Sequence, residues 1–247
     1  MTSRSSVFQG EPAASDLIRE LKRHHHPAQA KSLRRFFKTG PGEYGEGDEF
    51  WGIKVSQIRA VVAQFPLLPL TEVDILLDSP IHEVRFCGVA ALVGQYAAAS
   101  SGGRLAIYGF YLSRSSRVNN WDLVDMSAPG IVGCQLPPGK GRRVLGHLAQ
   151  SALLWDRRIA MVSTLTHIRS GNLENTFWLA KRFLKDPEEL MHKAAGWMLR
   201  EAGKRDEAAL SRFLKQHASG MPRTMLRYAI EKYSPAERKV WLNIVHP

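Results

Sequence analysis

Asn119-Asn120-Trp121-Asp122-Leu123-Val124-Asp125-Met126-Ser127-Ala128-Pro129-Gly130-Ile131-Val132-Gly133 reads as the start of a helix that soon breaks. Asn119 or Asn120 can cap its N-terminus. Asp122 then falls in the first turn, where the helix dipole favours negative charge. Trp121 and Asp125 are four residues apart and share a face. Val124, Ala128, Ile131 and Val132 line a neighbouring apolar face. Pro129 has no N–H to give the Asp125 carbonyl, so the helix is predicted to kink or stop there. An aromatic ring and a carboxylate are thus held together just before a break. This is either a site or a core Trp beside an Asp that caps a neighbouring helix.

Outward from this stretch, helical spacing runs in both directions. Leu17, Ile18 and Leu21 begin a first helix near Ser15, and His24-His25-His26-Pro27 ends it. Three adjacent histidines point in different directions and no second cluster lies nearby, so no metal site is expected. Lys31 to Lys38 forms a basic helix with Leu33, Phe36 and Phe37 as apolar positions, and Arg34, Arg35 and Lys38 can touch phosphates or remain solvated. Residues 39–49 carry four glycines and read as a structured connector. They lack the Gly-Lys-Ser/Thr ending of a phosphate-binding loop, and their acids repel phosphate. Helices follow at roughly 56–64, 71–78, 81–99, 103–114, 120–134, 141–151, 155–169, 173–184, 187–202, 206–217, 221–232 and 235–243, separated by Pro, Gly and Ser clusters. Strand-type alternation is absent, so the chain is expected to be all-α. Helix pairs recur about every 30 to 40 residues, which suggests a helical-repeat stack, with a compact irregular bundle as the alternative. Residues 1–14 are expected to be a flexible segment, and 15–247 a single domain.

The 247 residues hold 34 Lys plus Arg against 23 Asp plus Glu, a formal net charge of +11. That excess favours a polyanionic partner, nucleic acid first, although a merely basic protein would show it too. Cys87 and Cys134 have neither metal-ligand nor disulfide-framework spacing. A reducing, cytoplasmic setting fits, such as the bacterial cytosol or nucleoid. Neither a leader-type apolar run in the first 15 residues nor a run of about 20 apolar residues occurs, so no membrane partner is expected.

Two further stretches carry polar groups on apolar faces. Leu154-Trp155-Asp156-Arg157-Arg158-Ile159-Ala160 begins a helix on which Trp155, Arg158, Val162 and Leu165 share a face. A charge placed there has a partner or a task, so Arg158 is either half of a structural ion pair or a functional group. Lys193, Trp197 and Arg200 share a face of another helix, putting cations on both sides of a Trp. Ala194, Ala195 and Gly196 suit close helix packing.

Taken together, Trp121-Asp122-Leu123-Val124-Asp125, Trp155-Asp156-Arg157-Arg158, Ala195-Gly196-Trp197-Met198-Leu199-Arg200-Glu201 and the region from Phe36 to Asp48 resemble the AlkD-like DNA alkylation repair family of helical-repeat DNA glycosylases. The resemblance spans about residues 15 to 235. It implies a right-handed α-solenoid of HEAT-like repeats with a basic concave DNA-binding face. It also implies Asp125 as the catalytic carboxylate, Trp121 and Trp197 as sugar-contacting aromatics, and Arg158 as the motif arginine, expected to hold a phosphate, with Arg157 one residue away as the alternative. An aromatic near the DNA, a Tyr in some members, falls at Phe36, which keeps the ring and loses the hydroxyl. Arg35, Lys38, Arg157, Lys193 and Arg200 are the further expected DNA contacts. The implied activity is hydrolysis of the N-glycosidic bond of 3-methyladenine and 7-methylguanine in duplex DNA, by a monomer without metal or organic cofactor. No lysine is placed for a Schiff base, so an abasic site is the expected product. The competing readings are a non-catalytic repeat module that binds DNA of unusual shape and, last, a protein-binding scaffold.

Overall fold

A computed structural model describes residues 11–137 and 139–244. The polar segment expected to be flexible over 1–14 lies, as far as residue 10, outside the described residues. Among the described residues the chain is all-helical, with fourteen α-helices and no strand, and only an isolated bridge pairs Glu49 with Ile81. No described helix is long and apolar enough to cross a membrane. The chain divides into two compact units, Met1–Leu123 and Val124–Pro247.

The first unit holds α1 (Ala14–Lys22), α2 (Pro27–Phe36), α3 (Val55–Val62), α4 (Leu70–Leu77), α5 (His82–Ala98) and α6 (Ser101–Ser113). Helix α2 starts four residues earlier than its apolar spacing predicts. Pro27 does not end a helix here but begins one, because its missing N–H costs nothing in a first turn. His26 caps it, its Nδ1 accepting from the Gln29 N–H at 3.2 Å. Helix α5 packs on α3, α4 and α6, and Leu17, Leu21, Ile58, Phe65, Leu92 and Tyr111 are fully buried in this unit. The buried Glu83 carboxylate fixes the entry to α3 by accepting from the N–H groups of Trp51, Gly52 and Ile53 at 3.0, 2.7 and 3.2 Å. The glycine-rich connector is ordered by its own acids: Glu43 accepts from Gly40 N–H and Glu46 from Gly42 N–H, both at 2.8 Å.

Helix α7 (Trp121–Ala128) ends as Pro129 dictates, and a π-turn, Pro129–Gly133, follows. Then come α8 (Arg142–Leu148), α9 (Leu154–Arg169), α10 (Glu174–Arg182), α11 (Glu189–Arg205), α12 (Glu207–His217), α13 (Arg223–Ala229) and α14 (Pro235–Leu242). Helix α9 is the centre of the second unit, packed by the π-turn, α8, α10 and α11. It is buried on nearly every side, so its sequence shows little amphipathic period. Its buried Ser163 and Thr164 hydroxyls bond the Ala160 and Met161 carbonyls at 2.9 and 2.7 Å, which removes the cost of burying them. The π-turn lies directly on α9: Thr166 Oγ1 donates to the Pro129 carbonyl at 2.7 Å. A Cβ at Gly133 would press into the Ser163 carbonyl oxygen and stand 2.8 Å from Thr166 Oγ1. Helices α11 and α13 close up similarly at Gly196, where a Cβ would lie 2.5 Å from the Met225 carbonyl oxygen.

The atom that a Cβ at Gly133 would meet first is a backbone oxygen, which cannot yield cheaply. Gly133→Ala is therefore expected to destabilise the protein by about 1–3 kcal/mol, read as a lower urea midpoint at unchanged slope.

Candidate functional site

Asp125 stands on α7 one turn after Trp121 and one turn before the break. Its carboxylate meets Arg158, from the first turn and a half of α9, side-on. Arg158 Nε donates to Oδ1 at 3.0 Å and Nη2 to Oδ2 at 2.9 Å. Nη1 donates to the Leu190 carbonyl at 2.6 Å, at the start of α11. The Arg158 side chain is 5 % exposed and that of Asp125 19 %. A guanidinium stays charged under all ordinary conditions, and its two parallel bonds hold the Asp125 carboxylate in one orientation. The arginine expected to reach for a phosphate is thus turned inward onto the carboxylate.

Its neighbour faces elsewhere. Arg157 donates through Nε to Asp186 at 2.8 Å and through Nη1 to the Ser151 and Ala152 carbonyls at 3.1 and 2.9 Å. The guanidinium of Arg157, one of the expected DNA contacts, pins the loop before α9. Arg200 bonds Glu201 and Glu231, and Lys193 pairs with Glu189 one turn away at 3.2 Å. The cations read as flanking Trp197 therefore each face an acid. Trp197 itself is half-buried and lines a cleft of 360 Å³ with Leu165, Ile168, Arg169, Glu201, Lys204 and Arg205.

Trp121 sits at the end of an aromatic stack. Its ring lies nearly parallel to Phe37, centroids 5.4 Å apart at 18°. Phe37 stacks on Phe50 at 5.1 Å and 22°, and Phe50 on the His82 imidazole at 4.8 Å and 21°. Phe36 meets Trp121 edge-on at 5.9 Å and is 62 % exposed. Arg35 and Lys38, also exposed, stand beside it, and Lys38 takes a left-handed backbone, φ +51°, where the chain turns out of α2.

A profile of the DNA alkylation repair enzyme family matches residues 17–233. The chain belongs to this family. It is also similar in structure to a protein described as a predicted DNA alkylation repair enzyme from Enterococcus faecalis, with a TM-score of 0.68 at 16 % identity over 86 % of this chain and 98 % of that one. At that identity the likeness shows a shared fold. No curated protein matches.

In this member of the family, the groups behind Trp121 escaped sequence reasoning. His82 opens α5 and is buried. Its Nε2 lies 2.8 Å from Asp122 Oδ2 and its Nδ1 3.4 Å from Asp48 Oδ2. Asp48 also accepts from Arg85 Nη2 at 2.6 Å and Asn120 Nδ2 at 3.2 Å. Asp122, read only as a helix-dipole partner, is the anchor of α7 on this cluster. The signal was present in the acids at 48 and 122, but their partner is a lone His with no motif around it. Burial works against charge on His82. The Asp122 carboxylate, by charge and hydrogen bond, and the hydrogen bond to Asp48 outweigh both that and the repulsion from Arg85, raising the imidazolium to about 9. Asp48 is likewise held below the usual carboxylate range: burial opposes its charge, and His82, Arg85 and Asn120 overcome that.

The folded His82 value of about 9 lies above the ordinary 6.5, so between them the folded state binds the extra proton and stability falls as pH rises. The contribution is complete below pH 6.5 and lost as pH passes through about 9. Urea midpoints measured from pH 6 to 9.5 are expected to decline over this window in wild type, and to decline less in His82→Gln.

Proposed function

We propose that this protein is a monofunctional alkylpurine DNA glycosylase, which hydrolyses the N-glycosidic bond of N3- or N7-alkylated purines in duplex DNA and leaves an abasic site for base excision repair. The observation that carries the reading is the Asp125 carboxylate fixed by Arg158 one helical turn from Trp121, in a member of a DNA alkylation repair family.

The chemistry matches these residues. A purine alkylated at N3 or N7 carries a positive charge and leaves without a general acid. As the bond from C1′ to the ring nitrogen breaks, its electron pair neutralises the purine and the positive charge passes to the deoxyribose. Asp125 stabilises that charge and orients the water that adds to C1′. The rings of Trp121 and Trp197 offer π faces to the cationic sugar, at about 0.5–2 kcal/mol each. Arg158 acts as the positioning residue for Asp125. Phe36, Arg35 and Lys38 are the proposed contacts to the duplex, on an exposed aromatic flanked by cations. The proposed setting is a right-handed HEAT-like stack over residues 15–247, monomeric and cytoplasmic, with a basic inner face cradling the DNA.

Release of 7-methylguanine and 3-methyladenine from methylated duplex DNA tests the reading. Asp125→Asn keeps the volume and an acceptor for Arg158 Nε but removes the charge. It is expected to bind DNA like wild type and to release base about 10²–10³-fold more slowly. Excision by Asp125→Asn at the wild-type rate would remove the assigned mechanism. Absence of release from wild type, with DNA binding intact, would favour the non-catalytic module.

Binding to the duplex is expected to weaken with salt, by about 0.9 log unit per log unit of salt for each phosphate contacted. Arg35→Ala and Lys38→Ala should each lower that slope by about one contact, and titration by fluorescence anisotropy from 50 to 200 mM salt reads it. A salt-independent affinity would count against the cradle.

A further inference from the structure

His82 and its partners make a closed electrostatic unit behind Trp121. Two carboxylates, Asp48 and Asp122, face one imidazole from opposite sides, and Arg85 holds the far oxygen of Asp48. Among the described residues, the charged groups that meet the ring are Asp48 from the glycine-rich connector, Asp122 from α7 and Arg85 from its own helix. The unit is neutral only when His82 carries its proton. The geometry requires the same, since both ring nitrogens point at carboxylate oxygens and only the imidazolium has a hydrogen on each. The neutral ring would turn a lone pair toward one of the two carboxylates.

The same ring is packed between the aromatics that support Trp121. Phe50 stacks on it, and Phe37 lies 4.8 Å away at 39° while also carrying the Trp121 ring on its other contact. Asp122 is the residue next to Trp121. Asn120, the residue before it, accepts the Trp121 N–H at 2.8 Å and donates to Asp48. Trp121 is thereby held through its backbone and through its ring, and both routes end at His82.

We infer that His82 is a positioning residue for base release: it fixes the orientation of the Trp121 ring through the Asp122 bridge and the Phe50–Phe37 stack, without touching substrate. The inference rests on the glycosylase reading for its catalytic consequence, and on the structure alone for its effect on Trp121. Loss of the proton leaves the unit with a net negative charge and repels Asp122, so the first turn of α7 and the ring beside it relax.

The test uses the full chain and a duplex bearing a single 7-methylguanine. Single-turnover release is measured from pH 6.5 to 9.5, corrected for spontaneous loss. Wild type is expected to show an alkaline limb near pH 9. His82→Gln should be slower by about 10- to 100-fold, the scale of a small misplacement of a catalytic group, should lack that limb, and should bind the duplex within about twofold of wild type. A merely structural histidine would shift the melting temperature and leave the release rate and its pH profile as in wild type at a temperature where the variant is folded. That result, or a wild-type rate and limb in His82→Gln, overturns the inference. Fluorescence of wild type minus Trp121→Phe, followed over the same pH range, reads Trp121 without any catalysis. It is expected to change near pH 9. If His82→Gln does not fold, this titration and the wild-type rate profile decide, and absence of both transitions overturns the inference. If wild type releases no base, the glycosylase reading fails while the Trp121 titration still decides the positioning.

Discussion

A buried guanidinium that cannot shed its proton must be answered by a buried or half-buried anion. Arg158 sits in that position, and Asp125 and the Leu190 carbonyl answer it. The constraint joins three helices at one group: α7 supplies the carboxylate, α9 the arginine and α11 the carbonyl. Loss of either charged partner leaves the other without its counter-charge. The same constraint fixes the chemistry. The two bonds from Arg158 leave the Asp125 carboxylate no freedom to swing. The break at Pro129 serves this arrangement, since the π-turn after it lies on α9 and so brings α7 and α9 together at the carboxylate.

The strong basic excess of the chain is a poor guide to which cations meet a partner. Arg85, Arg157, Arg158 and Arg200 are all turned toward carboxylates inside their own unit. Their charge is consumed in holding loops and helix ends. Arg34, Arg35 and Lys38 are exposed beside Phe36, and it is groups of this kind that can displace counterions from a polyanion. Composition counts both kinds equally.

Much of the fold was legible because helical period and breaker residues act locally. The helices from α3 to α14 fall close to their predicted spans, and Pro129 ends α7 where its missing N–H requires. Helix α2 was misplaced because Pro27 can end one helix or start the next, and only the His26 cap decides between them. The pairing of Asp125 with Arg158 spans 33 residues. Sequence could place each on a face and leave ion pair and functional group as alternatives, but could not say that they meet. Arg157 and Arg158 are equally basic and adjacent, and their separate destinations depend on a turn of α9 relative to Asp186 and Asp125. His82 was invisible for the same reason: its partners come from residues 48 and 122, and nothing near position 82 announces them.

Arg158 raises a tension in the proposed chemistry. A carboxylate paired with a guanidinium projects a weaker negative field than a lone one, and the reaction asks it to stabilise positive charge. The nature of the proposed substrate resolves this. An alkylated purine is already cationic, so the reaction moves a charge from base to sugar and creates none. What the site must supply is a field that favours one location over another, and for that, direction counts more than magnitude. A carboxylate that needs no reorganisation at the moment of reaction supplies direction. Trp121 complements it, since the attraction of a ring face for a cation comes from its quadrupole and carries no counter-charge to cancel. Its value depends wholly on where the face points, which is why Phe37, itself resting on both Phe50 and the His82 imidazole, stands behind it.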